Sequence, residues 1–438
     1  MAAGITGVGA PVASGPVRSY GRALAVLASI FFMWGFATVL NDILVPHLRS
    51  VFDLSYGQSL LIQFIFFLAY FVMSLPSAKV LERVGYKRSV VAGLGVMALG
   101  SLMFVPAAAL PSFPIFLVAL FVLASGITLL QVAANPYVAV IGPAESASSR
   151  LNLVQAFNSL GTTVAPLFGG ILIFNRSTSG NATGGTESAL TDAQRLADAH
   201  AVQLPYVLIT LILLGLAVII WRFKLPDLGG NARRVAAKER AKESLWRHRN
   251  LVFGVPAIFI YLIAEIGIGS MLVNYLSLPN IGNLSHADAA GYVSLFWGGA
   301  MVGRFVGSFA MRWIRPQMML AAVSVAAFIL TATSIATGGS LAMWTIILVG
   351  LCHSIMFPTI FTLGIKGLGP LTEEGSGLLI MAIAGGALAA GQGFLADRIG
   401  LQLSFALPAA CYLYVLFYAL WGSRPTHDAG DETLSTLD

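Results

Sequence analysis

Charge is what this chain has least of. Of its 438 residues only 10% are Asp, Glu, Lys or Arg, while 57% are hydrophobic. A soluble domain carries roughly 25% charged and 45–50% apolar residues. So few charges cannot cover a water-facing surface of this size. A soluble enzyme, a disordered chain and a coiled coil are therefore excluded, and lipid must take the surface. Cysteine is nearly absent as well. Cys352 and Cys411 both lie in apolar runs, which excludes a disulfide framework and a cysteine-rich metal site. The start of the chain lacks the pattern of a cleavable leader. Residues 1–22 are rich in Gly, Ala, Ser and Pro with only Arg18 and Arg22 charged. They read as a flexible tail before an apolar run long enough to serve as a retained anchor.

What the sequence has in abundance is long apolar runs. A helix crosses the bilayer core with about 20 mainly apolar residues. Twelve such runs stand at about 23–46, 58–80, 88–109, 113–139, 149–174, 203–223, 250–278, 288–311, 316–337, 341–366, 375–396 and 401–422. They are too long and too evenly apolar for barrel strands of about ten alternating residues. The expected fold is an all-α membrane protein of twelve transmembrane helices. The net charge of +6 then reads as topology. With the N-terminus on the cytoplasmic side, 20 of the 25 basic residues fall inside, four fall outside, and Arg304 lies within a span. Both termini are expected to be cytoplasmic. The basic block from Arg233 to Arg249 reads as an interfacial linker rather than a nucleic-acid footprint.

That linker divides the chain into six spans and six. Residues 23–224 and 250–423 read as two bundles, joined by 225–249 and followed by a tail over 424–438. Features recur between them. Ala78-x-x-x-Glu82-Arg83-x-Gly85 has a counterpart in Gly307-x-x-x-Met311-Arg312, and Asn135-Pro136 in Phe357-Pro358, at offsets of 222 to 229 residues. A duplicated six-helix unit explains this, and two such halves can rock about a midplane site. The segment after the second span departs from the facilitator pattern Gly-x-x-x-Asp-Arg-x-Gly-Arg-Lys, with Ala78, Glu82 and Tyr86 as the exceptions. Its carboxylate and basic residues, Glu82, Arg83, Lys87 and Arg88, can still clamp an inner helix junction, and they are the candidate gate. A closer match at Gly393 to Gly400 falls on the outer side and takes no such role.

Polar groups inside spans are costly and are functional candidates by default. Asp42 shares a face of the first span with Thr38. It reads either as a carboxylate at the outer water boundary or as an ion-coupling group, because a carboxylate drawn into a low-dielectric cavity tends to bind a proton or cation first. Glu265, halfway along the seventh span, reads either as a structural partner of Arg304 or as a functional group, a substrate hydroxyl acceptor or a second coupling carboxylate. Gln131 and Asn135 stand four apart in the fourth span. Asn152, Gln155 and Asn158 recur every three residues in the fifth. Amides both donate and accept, as sugar hydroxyls do, although interhelical hydrogen bonding is the competing reading. Gln63, Asn274 and Gln392 add weaker candidates, Trp34 is the favoured stacking ring, and His353 lies mid-span. Gly161-x-x-x-Ala165-Pro166 resembles the antiporter motif of drug exporters, which keeps a drug or metabolite efflux antiporter as the alternative function.

Four strings carry a resemblance: Phe31-Phe-Met-Trp-Gly-Phe-Ala-Thr-Val-Leu-Asn-Asp-Ile-Leu44, Leu130-Gln-Val-Ala-Ala-Asn-Pro-Tyr137, Gln155-Ala-Phe-Asn-Ser-Leu-Gly161 and the run from Ser354 to Gly369. They resemble the fucose:proton symporter family of the major facilitator superfamily, most closely its bacterial glucose/galactose branch. The resemblance implies two pseudo-symmetric six-helix bundles and a hexose importer of the bacterial inner membrane. It implies H+ or Na+ as coupling ion, no further cofactor, and a monomer with sugar and lipid as its partners. Asp42 matches the first-span carboxylate that the fucose branch needs, and Asn158 a polar residue implicated there. The fucose branch has a carboxylate where this chain has Gln131, so a two-carboxylate relay does not carry over. The glucose/galactose branch also has Gln there, and Glu265 is the expected substitute. The branch carries Asn where His353 stands, and the family does not fix the sugar.

Overall fold

The computed structural model describes residues 17–52, 56–109, 112–169, 203–223 and 244–425. The expected tails beyond residues 17 and 425, most of the linker and the last residues of the fifth run lie outside the described residues. Helices stand at all twelve expected positions: α1 Val17–Phe52, α2 Tyr56–Val84, α3 Tyr86–Ala109, α4 Phe113–Val140, α5 Ala147–Gly169 and α6 Gln203–Arg222 in the first half. The second half has α7 Arg249–Leu276, α8 His286–Ala310, α9 Pro316–Ala336, α10 Gly339–Gly364, α11 Gly369–Ile399 and α12 Leu401–Gly422. Ten of them are long and apolar enough to cross a bilayer. The exceptions are α1, whose described apolar part is Gly21–Phe36, and α5, which carries Ser148, Ser149, Arg150, Asn152, Gln155, Asn158 and Ser159 near its start. Such a helix persists in lipid because protein, not acyl chain, covers its polar face.

The packing repeats with a shift of six helices. In the first half α1 packs on α5, α2 and α3 on α4, and α3 on α6. In the second α7 packs on α11, α8 and α9 on α10, and α9 on α12. The contacts between halves obey the same rule, α2 and α4 meeting α11 as α8 and α10 meet α5. The fold is therefore two pseudo-symmetric six-helix bundles, as the sequence repeat predicts. Large apolar side chains such as Phe71, Leu211, Val306 and Phe394 face outward, where lipid receives them. Trp221, Trp246 and Trp313 are exposed at the end that carries the basic connections, the position of an interfacial girdle.

Three local features position the site. Gly85 alone links α2 to α3 at φ 82°, a conformation that favours glycine. Gly35 and Gly161 lie against the backbone of Asn158 and Phe32 respectively, so α1 and α5 touch main chain to main chain. This gives Gly161 of the antiporter-like string a packing role. The last two expected spans of the polar core are not continuous α-helices. α10 breaks into Gly339–His353 and Met356–Gly364. Pro358 has no N–H to give the carbonyl of Ser354 one turn earlier. α11 turns 3₁₀ over Ala382–Ala389, where Gly385 presses on the carbonyl of Phe259 in α7 and Gly386 on the ring of Phe67 in α2.

The seam between the halves is closed at the basic end, mostly by uncharged side chains. Ser149 Oγ donates to the Ser308 carbonyl at 2.6 Å, and Ser308 Oγ donates back to the Ser149 carbonyl at 2.8 Å. The Ser148 and Thr362 hydroxyls are 2.6 Å apart. Asn152 Nδ2 reaches Thr359 Oγ1 at 3.4 Å. On the opposite flank Ser376 Oγ donates to the Val132 carbonyl at 2.9 Å, and Gly377 fits against Ala78.

Candidate functional site

The first half gathers the expected amides into one buried cluster. Gln131 Nε2 on α4 donates to the Tyr70 hydroxyl on α2 at 2.5 Å. One turn on, Asn135 Oδ1 accepts from Gln155 Nε2 of α5 at 3.5 Å. Asn158 Nδ2 donates to the Phe31 carbonyl of α1 at 2.9 Å. Trp34 lies buried beside Phe31, ring centroids 5.3 Å apart, and Phe66 packs at 5.4 Å from Tyr70. Four helices thus converge on side chains that both donate and accept. The cluster is not saturated: Gln131 Oε1 and Asn135 Nδ2 are buried with no hydrogen-bond partner among the described residues. Buried polar atoms left unmade cost about 1–3 kcal/mol each.

Not every candidate joins the cluster. Asn152 turns to the seam and bonds Ser148 and Thr359. Gln63 is exposed. Asp42 stands in α1 four residues after Thr38, and its side chain lies outside the described part of the structure. Around the α2–α3 turn Arg83 and Arg88 are exposed, while Glu82 and Lys87 are half-buried.

The second half contributes a different set. Glu265 on α7 is buried, within hydrogen-bonding reach of Tyr261 one turn earlier and close enough to Arg304 of α8 for their charges to interact. Arg304 Nε donates to the Ser354 carbonyl at 3.0 Å, the carbonyl that Pro358 leaves open. Its second arm crosses to the Ser159 hydroxyl of α5. His353 is fully buried between the rings of Tyr261 and Phe296, and its Nε2 lies 2.6 Å from the Tyr412 hydroxyl of α12. Gln392 of α11 is fully buried against Gly267, and neither of its amide atoms has a partner among the described residues. Sequence reasoning noticed Arg304 only as a partner for Glu265. Its place in the tally of basic residues, assigned to neither end, was the signal for more. Tyr261 and Tyr412 gave none, since tyrosines are common in apolar runs; Tyr70 stood out only as one of several aromatics near the polar positions.

A cavity of about 680 Å³ between α1, α5 and α6 lies apart from both sets. Ser29 is its only hydroxyl, among Leu24, Phe32, Leu153, Phe157 and Ile212. Such a lining suits an acyl chain and offers a sugar nothing to bond.

A family model described as the Major Facilitator Superfamily matches residues 23–391. The chain belongs to the major facilitator superfamily. Relatives of this facilitator include the glucose/galactose transporter of Brucella abortus biovar 1 (strain 9-941), 51% identical over 93% of this chain and 95% of that one. The L-fucose-proton symporter of Escherichia coli (strain K12) is 34% identical over 94% and 95%. The crystal structure of the major facilitator FucP in the outward conformation superposes with a TM-score of 0.81 at 33% identity, covering 93% of this chain and all of that one. The facilitator is therefore a multi-pass membrane protein.

Proposed function

We propose that this facilitator imports a hexose across the bacterial inner membrane, driven by an inward cation gradient, by alternating access. The observation that carries the reading is the buried amide cluster of Gln131, Asn135, Gln155 and Asn158 with atoms still open to partners. Neutral groups that donate and accept suit a polyhydroxyl ring and need no phosphate, carboxylate or ammonium in the cargo. Trp34 offers a face for the ring to stack on. The relatives named as glucose/galactose transporter and L-fucose-proton symporter support the same class, and the second favours a proton over Na+. The basic end is the cytoplasmic one on the positive-inside rule, so the sealed seam makes the state outward-facing. Residues 23–224 and 250–423 are the rocking halves. Glu82, Arg83, Lys87 and Arg88 gate the inner junction together with the hydroxyl seam. His353 acts from behind the cavity wall by fixing Tyr412 and Tyr261, and Gln63 is left a peripheral place.

In the cycle, Asp42 takes up the cation and sugar hydroxyls fill the open amide positions. Removal of the negative charge lowers the cost of burying the cavity, and the halves rock. Glu265 is the second carboxylate and faces Arg304. Counterflow in proteoliposomes across a hexose panel, with and without sodium, tests the reading. Labelled glucose or galactose is expected to enter against preloaded unlabelled sugar. No hexose counterflow, with drug resistance conferred on cells instead, overturns it in favour of efflux. Gln131→Leu is expected to weaken sugar binding about tenfold in equilibrium dialysis, since it removes one buried amide and leaves the Tyr70 hydroxyl short of a partner.

A further inference from the structure

We infer that Arg304 is a latch between the halves, holding the basic end shut through Ser159 and passing to Glu265 when that end opens. The inference rests on the rocking reading above, but its test does not depend on which cargo is carried.

The latch is built by a chain of local causes. Pro358 lacks the N–H that would close on the Ser354 carbonyl, so α10 breaks there. Gly303 lets α8 lie against the break, since a Cβ at that position would come within 2.5 Å of Ser354 Oγ. The open carbonyl takes Arg304 Nε at 3.0 Å. That contact fixes one arm of a planar guanidinium, and the other arm is aimed out of its own half at Ser159 of α5. Ser159 follows directly on Asn158, whose amide holds α1 at Phe31. The latch thus bonds the side chain of the residue next to the cluster proposed to bind cargo.

Its place in the seam decides its role. α5 and α8 touch from the Ser149–Ser308 pair, through the Phe157 and Phe305 rings at 5.9 Å, to Thr163 Oγ1, 3.6 Å from Met301 Sδ. Arg304 and Ser159 lie within that closed stretch, so the basic end cannot open along α5 without giving up their bond. The neutral hydroxyl pairs of the seam exchange easily for water. A guanidinium bond is charge-assisted and roughly twice as strong, and the basic-residue tally assigns Arg304 to neither end of the bundle. Once Ser159 withdraws, the cation needs an anion, and Glu265 is a carboxylate buried on α7, the helix that packs on α8. Tyr261 and His353 are buried nearby on α7 and α10 but offer no permanent negative charge.

The test reads the distance across the basic end. Spin labels go on Glu145→Cys and Arg312→Cys, exposed turns on opposite halves, with the buried Cys352 and Cys411 replaced by Ala, in lipid nanodiscs. Ser159→Ala is expected to raise the long-distance population about tenfold. Ser159→Thr, which keeps the hydroxyl, restores the parent distribution. Pro358→Ala lets α10 reclaim the Ser354 carbonyl and shifts the distribution the same way as Ser159→Ala. Glu265→Gln removes the receiving charge and shifts it the opposite way. A merely structural arginine gives no such opposition of sign. An unmoved distribution in Ser159→Ala, or the same sign for Glu265→Gln and Ser159→Ala, overturns the latch. Failure of hexose counterflow with these shifts intact removes the cargo assignment and leaves the latch standing.

Discussion

Asp42→Asn is expected to abolish uphill accumulation of sugar in energised vesicles while exchange of sugar for sugar persists. The carboxylate stands late in α1, on the stretch beyond the Phe31–Trp34 contact with the cluster. An ionised group there resists enclosure, because desolvating an unpaired charge costs several kcal/mol. On the proposed cycle, closure around cargo waits for a cation to cancel that charge, which would tie the two fluxes together. An Asn is neutral at every pH and removes the requirement. The carrier then closes with sugar alone and equilibrates it. The size of the loss follows from the drive: one charge moved through 100 mV supplies about 2.3 kcal/mol, or about 50-fold in concentration. Accumulation in Asp42→Asn should fall to a ratio of about one by this argument. Accumulation that survives the substitution would place the coupling elsewhere, with Glu265 the next group to replace.

The fold was legible because its signals are local and repeated. Apolar length sets the spans, basic residues mark one end, and the repeat of Pro and Gly positions announces two alike halves. The amide cluster was legible for a related reason. Gln131 and Asn135 are one helical turn apart, and so are neighbours wherever α4 lies. Gln155 and Asn158 are close behind one another on α5. Asn152 shares their spacing of three, but each step of three falls short of a full turn. By Asn158 the drift has carried the row from the seam to the cavity side, and the structure parts them accordingly.

The remainder depends on which helix comes to lie opposite which. Nothing near Ser149 or Ser308 in sequence announces a reciprocal pair across the halves. Serines in apolar spans more often bond their own helix, as Ser74 does to Tyr70. Pro358 was visible, but it read only as a repeat marker. Its consequence, an open carbonyl that captures an arginine of α8, needs the packing of Gly303 to be known. The 3₁₀ stretch Ala382–Ala389 has no sequence signature of its own. Its pitch is set where Gly385 and Gly386 are squeezed between α7 and α2.

Arg150 shows the same gap between a charge counted and a charge placed. Read along the chain it is one of twenty residues voting for an inner end. In the fold it is buried at the start of α5 and turns back over the end of α4. Nε takes the Val138 carbonyl at 3.1 Å and Nη2 the Ala139 carbonyl at 2.6 Å. Nη1 reaches the Pro143 carbonyl at 2.8 Å and the Ser146 hydroxyl at 2.5 Å. The last carbonyls of a helix have no intrahelical donors and carry its negative end. A cation with a fixed fork satisfies several at once. Arg150→Met, similar in reach but without donors, leaves those carbonyls buried and unmade. The expected loss is at least about 3 kcal/mol, or roughly 10 °C in melting temperature for a six-helix half, measured by thermal unfolding in detergent. Arg150→Lys separates the two roles. A lysine serves the positive-inside rule as well as an arginine does, but its ammonium cannot span carbonyls on both sides of the turn. If the residue is a cap, Arg150→Lys inserts with the parent topology in a reporter-fusion assay and still melts several degrees low; a parent melting point for Arg150→Lys would reduce Arg150 to a topological charge.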